Sequence, residues 1–161
     1  MLIKKFNIFC YRIKSFRTLY CRHNKTIMKK QQLHIALGVI QAFVALGAIP
    51  AGFSMIVQPD GTGLGMTTKF LHDSPFSNFF IPGLFLFTVN GLANLTVSIL
   101  TFRKNKYSGK LSLMLGLLLV GWIVIQVWST GYISFMQPLF FSIGMAEFIL
   151  AYLLLKKNEQ Q

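Results

Sequence analysis

Glu147 is the residue whose chemistry demands explanation first, because it is the one formal charge in an apolar run spanning residues 134 to 155. An ionisable side chain inside a membrane helix costs several kcal/mol unless it is protonated, paired or hydrated, so Glu147 is expected to face the interior of a helix bundle. Counted from the ends opposite the basic clusters, Glu147 lies about 13 residues into its run, and Asn90 about 11 into the run 79 to 102. Asn94 follows Asn90 by one helical turn and shares its face. A mid-membrane cluster of Asn90, Asn94 and Glu147 is therefore expected. It reads either as a ligand or proton site with Glu147 titrating, or as a buried carboxyl hydrogen-bonded to an amide to fix helix register. Gln41 and Gln126 stand where they could extend such a network.

A second polar group lies between residues 58 and 78, where Asp60, His72 and Asp73 are candidate ligands. A closed zinc site takes four ligands, usually including Cys or several His, and this segment does not supply them. No metal and no cofactor is expected. Gly61, Gly63 and Gly65 lack the preceding strand and the lysine of a phosphate loop and read as a flexible turn, with Pro59-Asp60-Gly61 at its start. Cys10 and Cys21 are the sole cysteines. The core thus has no Cys-x-x-Cys pair for thiol redox chemistry. An intramembrane enzyme would want a nucleophile, a metal cluster or paired acids, and the core offers one carboxylate.

The elements that must position these groups are legible from composition. Of 161 residues, 53% are hydrophobic and 12% charged, about half the charge of an ordinary soluble chain. Residues 33 to 57, 79 to 102 and 111 to 131 carry no formal charge, and with 134 to 155 they make four runs long enough to cross a hydrocarbon core. Backbone amides cannot be left unpaired in lipid, so the runs are predicted to be helices. The expected fold is an all-α membrane bundle of four transmembrane helices. Pro82 and Pro138 fall in first turns, where a missing N–H costs nothing. Pro50 lies inside the first run and predicts a kink or an early unwinding. The small pairs Gly47/Ala51 and Ala48/Gly52 suit close helix packing. Met66, Phe70 and Leu71 suggest a short interfacial helix, with Ser74-Pro75 leading into the second run. Trp128 fits an interfacial anchor and Trp122 a packing role.

Net charge is +12, but its distribution argues against nucleic acid. Lys29, Lys30, Arg103, Lys104, Lys106, Lys110, Lys156 and Lys157 all flank runs on one side, which by the positive-inside rule places the N-terminus, the C-terminus and the central loop in the cytoplasm. Anionic headgroups of the bilayer are the expected counter-charge, and a membrane protein partner or a second copy is compatible with the helix faces. Residues 1 to 27 hold seven basic and no acidic residues, with Leu2, Phe6, Phe9, Ile13, Phe16 and Tyr20 at helical spacing. They read as a basic amphipathic leader or transit-like segment, or as an over-extended start before Met28, outside the core fold at 28 to 161.

The stretches Gln-Pro-Asp-Gly (58 to 61), Gly-Leu-Gly-Met (63 to 66), Ser-Pro-Phe-Ser (74 to 77), Ile-Pro-Gly (81 to 83) and Val-Asn-Gly (89 to 91) resemble motifs of small, uncharacterised bacterial four-helix membrane proteins, over roughly residues 30 to 155. More distantly the layout is similar to the DoxX-like group. The resemblance implies a bacterial cytoplasmic membrane and supplies no mechanism, since the redox activity linked to some DoxX-like members does not carry over to a core without cysteine. Two functions are expected from the residues: a non-catalytic accessory or lipid-associated membrane module, or a small-molecule or proton-coupled transport bundle centred on Glu147. Four-helix multidrug exporters also use a membrane glutamate, but in their first helix, where this chain has Gln41 and His34.

Overall fold

A computed structural model describes residues 29–67, 76–132 and 134–159. The leader at 1 to 27 and residues Lys69, Phe70, Leu71, His72, Asp73, Ser74 and Pro75 lie outside them. The described residues form an all-helical chain without strands, and four of its helices are long and apolar enough to cross a membrane. These are α1 (Lys30–Val57), α2 (Phe80–Phe102), α3 (Ser108–Thr130) and α4 (Met136–Glu159).

Short polar residues set the helix entries. The Lys29 N–H donates to Gln32 Oε1 at 2.9 Å, the Phe80 N–H to Asn78 Oδ1 at 3.1 Å, and the Met136 N–H to Ser134 Oγ at 3.3 Å. Each satisfies one donor that the first turn leaves without an intrahelical partner. The exit of α3 is made by Gly131 at φ 74°, whose N–H returns to the Val127 carbonyl. Pro50 does not end α1. The helix runs continuously from Lys30 to Val57, with the Leu46 carbonyl left without the bond a non-proline residue would give it, so the early unwinding expected there is absent.

Helix α2 is not uniform. It begins as an α-helix over Phe80–Phe85, widens to a π-helix over Leu86–Ala93, and returns to α-helix over Asn94–Phe102. Wide turns of this kind are uncommon and concentrate at functional sites.

Glycines on both partners let α1 and α2 lie close. A Cβ on Gly52 would meet the Phe87 backbone nitrogen at 2.6 Å, and one on Gly91 would meet Ile49 Cγ1 at 2.8 Å. Helices α3 and α4 pair the same way, Gly116 lying where a Cβ would be 2.8 Å from the Phe148 nitrogen. The bundle is thus two tight antiparallel hairpins. Their ends nearest the basic residues are sealed together by Leu33 and Leu37 of α1 against Ala151 and Leu154 of α4.

The outward faces are apolar, with Leu46 72% exposed and Met114, Leu117 and Phe53 similarly open. Three outward-facing aliphatic hydroxyls bond their own helix: Thr88 donates to the Leu84 carbonyl, Thr96 to Leu92 and Ser142 to Pro138. Such back-bonded hydroxyls carry no unmet demand into a lipid environment. The eight basic residues named above all fall at one end of the bundle, beside the start of α1, the turn from α2 to α3 and the end of α4.

At the opposite end Gln58 to Gly61 form a turn closed by the Gly61 N–H to the Gln58 carbonyl at 3.0 Å, with Gly61 at φ 84°. The expected Pro59-Asp60-Gly61 turn is present. The Phe79 N–H donates to the Pro59 carbonyl at 2.8 Å and so ties this turn to the entry of α2. Met66 packs on Met55 and Phe79.

Candidate functional site

The interior is organised at two depths. The inner one is a polar node centred on Gln41, which is fully buried on α1. Its Nε2 donates to Ser112 Oγ of α3 at 2.8 Å and to Glu147 Oε1 of α4 at 3.0 Å, while its Oε1 accepts from Thr101 Oγ1 of α2 at 3.1 Å. One carboxamide therefore binds all three other helices. Thr101 Oγ1 is also 2.8 Å from the Val97 carbonyl, and Ser98 Oγ donates to the Gly38 carbonyl at 2.8 Å. His34 is buried one layer further in and hydrogen-bonds the backbone of Thr101, with Nδ1 unpartnered.

This arrangement corrects the expected cluster in one respect. Glu147 pairs with Gln41 and not with the asparagines: Asn90 and Asn94 are both 0% exposed, and neither carboxamide has a hydrogen-bond partner. The node lies toward the end of the bundle that carries the basic residues. Thr101 is the penultimate residue of α2, and Ser112 lies four residues into α3, about 6 Å from its start. Glu147 is thus held about one turn from the basic 103 to 107 connection. Glu147 is near the middle of α4, and it meets the Gln41 node because α4 runs on to Glu159 and α1 starts at Lys30, both extending past the α2–α3 turn.

Residues 101, 98, 94 and 90 recur at spacings of three and four and are all buried polar groups on one face of α2. That pattern was available in the sequence and identifies Thr101 and Ser98, which attention to amides and charges alone passes over. Ser112 offers no comparable signal.

The outer depth is a cavity of about 370 Å³ between the two hairpins. All four helices contribute walls, among them Ala48 of α1, Leu86 of α2, Ile123 of α3 and Phe140 of α4, and the Gln126 expected to extend the network lines it too. Trp122 forms one side and is fixed by a stacked contact with Phe85, ring centroids 4.6 Å apart and planes at 22°. Asn90, carried by the π-helical turn, is part of its wall. The cavity does not reach Glu147 or Asn94. Trp128 is 88% exposed near the end of α3 away from the basic residues.

In the outer loop Asp60 is a turn residue. Its Oδ1 accepts from the Thr62 hydroxyl at 2.8 Å and the Thr62 N–H at 3.2 Å, and these bonds, the hydroxyl foremost, hold its carboxyl below the usual range. His72 and Asp73 lie outside the described residues. Among the described residues no group of three or more His, Cys, Asp or Glu could hold a metal ion.

Fold and site together define a helical bundle with four helices long and apolar enough to cross a membrane, polar-locked at one end and hollow at the other. Compared with protein-family models, curated proteins and solved structures, the chain gives no match.

Proposed function

We propose that this chain is a multi-pass protein of a bacterial cytoplasmic membrane, with both ends and the 103 to 110 loop in the cytoplasm, acting as a non-catalytic, lipid-associated module that holds an apolar small molecule. The observation that carries the reading is the cavity of about 370 Å³, walled by all four helices and lined mainly by hydrocarbon and aromatic side chains. Ligand sites of this character are concave, mostly apolar and begin near 300 Å³. The eight basic residues gathered at the opposite end support the orientation, and anionic headgroups would meet them there. In this reading Glu147 is a structural group that sets helix register through Gln41. Its unpartnered Oε2 favours the second reading, a proton-coupled site at Glu147.

The test uses the full chain in lipid nanodiscs with Trp128→Phe, which leaves Trp122 as the single tryptophan. Titration with hexylbenzene should change Trp122 fluorescence saturably, at one molecule per chain, and Ala51→Leu on the cavity wall should weaken it. A response that rises linearly, as partitioning into protein-free nanodiscs does, would refute ligand binding. Glu147→Gln should leave hexylbenzene binding unchanged. Loss of a measured proton flux in that variant would favour the second reading.

A further inference from the structure

Most of the cavity surface is hydrocarbon, and yet a fully buried carboxamide is part of its wall. Asn90 is 0% exposed, lines the cavity, and has neither Nδ2 nor Oδ1 satisfied by the protein. More than nine in ten buried polar groups are paired, and an unpaired one costs about 1–3 kcal/mol, so an apolar residue would serve the fold better at this position. Resting on the ligand-binding reading above, we propose that Asn90 is the head-group site of the cavity and that the ligand is a neutral hydroxyl-bearing molecule with an apolar body, entering hydroxyl first.

The chemistry of the head follows from what Asn90 leaves open. Nδ2 needs an acceptor and Oδ1 needs a donor, and a single hydroxyl is both. A charged head is disfavoured, because among the described residues no acidic or basic side chain lines the cavity to compensate it. The size of the body follows from volume. A dry cavity of about 150 Å³ takes benzene, so about 370 Å³ takes roughly 15 heavy atoms at similar packing. That is too small to enclose a two-chain lipid and points to a free small molecule dissolved in the bilayer. The rings of Phe79, Trp122 and Phe140 surround the body.

The experiment compares 4-hexylphenol, hexylbenzene and 4-hexylbenzoate on the full chain in nanodiscs, by Trp122 fluorescence in the Trp128→Phe background, for wild type and Asn90→Leu. The phenol should bind at least about tenfold more tightly than hexylbenzene in wild type. In Asn90→Leu the two should agree within about twofold, with hexylbenzene affinity retained and resistance to unfolding equal or higher, because an unpaired amide has been removed. Equal binding of phenol and hexylbenzene in wild type, or a preference that survives Asn90→Leu, would overturn the head-group assignment while the cavity reading stands. So would benzoate binding as tight as the phenol. If no probe saturates, the cavity reading and this one fall together.

Discussion

Replacing Gln41 with leucine removes a side chain that hydrogen-bonds α2, α3 and α4 at once, and the structure allows the cost to be apportioned. Three hydrogen bonds are lost. Within membranes such interhelical bonds average about 0.6 kcal/mol, giving about 2 kcal/mol for the three. Thr101 already reaches the Val97 carbonyl, and Ser112 can turn to its own helix, so neither hydroxyl is stranded. Glu147 has no such recourse, since its Oε2 is already unpartnered and Oε1 would join it, which adds about 1–3 kcal/mol. Gln41→Leu should therefore destabilise the bundle by about 3–5 kcal/mol. The sharper expectation concerns the double variant. Replacing both partners by apolar groups leaves nothing buried and unpaired, so Gln41→Leu with Glu147→Leu should be more stable than Gln41→Leu alone by about 1–3 kcal/mol. Unfolding in mixed micelles by SDS titration measures both. A double variant no more stable than the single one would refute the claim that Glu147 depends on Gln41.

Three further outcomes are expected. Gly52→Ala should destabilise by about 1–3 kcal/mol, because its Cβ would strike the Phe87 backbone, whereas Gly121→Ala, with nothing within 4 Å, should be neutral or stabilising by up to about 1 kcal/mol; the same SDS titration reports both. Brominated lipids labelled near the headgroup should quench Trp128 strongly in a Trp122→Phe chain and Trp122 weakly in a Trp128→Phe chain, and equal quenching would contradict the burial pattern. The Asp60 carboxyl, depressed by its bonds to Thr62, contributes fully to the turn above the ordinary carboxylate range and loses that contribution as pH falls through its lowered folded value; its carbon chemical shift by NMR should titrate below the usual range and return toward it in Thr62→Val.

The four helices were legible because hydrocarbon runs and their basic flanks are one-dimensional signals. The run 33 to 57 became Lys30–Val57 and 79 to 102 became Phe80–Phe102, with Pro82 and Pro138 in the first turns as expected. The partner of Glu147 was not legible. Periodicity gives the face a residue occupies and a residue count gives its depth along one helix, but neither gives the offset between helices, and α1 and α4 extend inward past the α2–α3 turn. Nor does any residue type announce the π-helical stretch at 86 to 93; Gly91 is compatible with it without implying it. The cavity is invisible for a different reason. Its walls are the same Leu, Ile, Phe and Ala that elsewhere fill a core, and only the spacing between hairpins distinguishes a filled interior from a hollow one.

The placement of the Gln41 node has a mechanical consequence. Each hairpin is held close by glycine contacts, and Gln41 hydrogen-bonds the first hairpin to the second near one end. They therefore resemble tongs pinned at the handle. From Gln41 to Met55 at the open end is 14 residues, an arm of about 21 Å. Opening the hairpins by about 5° about this point would move the jaws by about 2 Å.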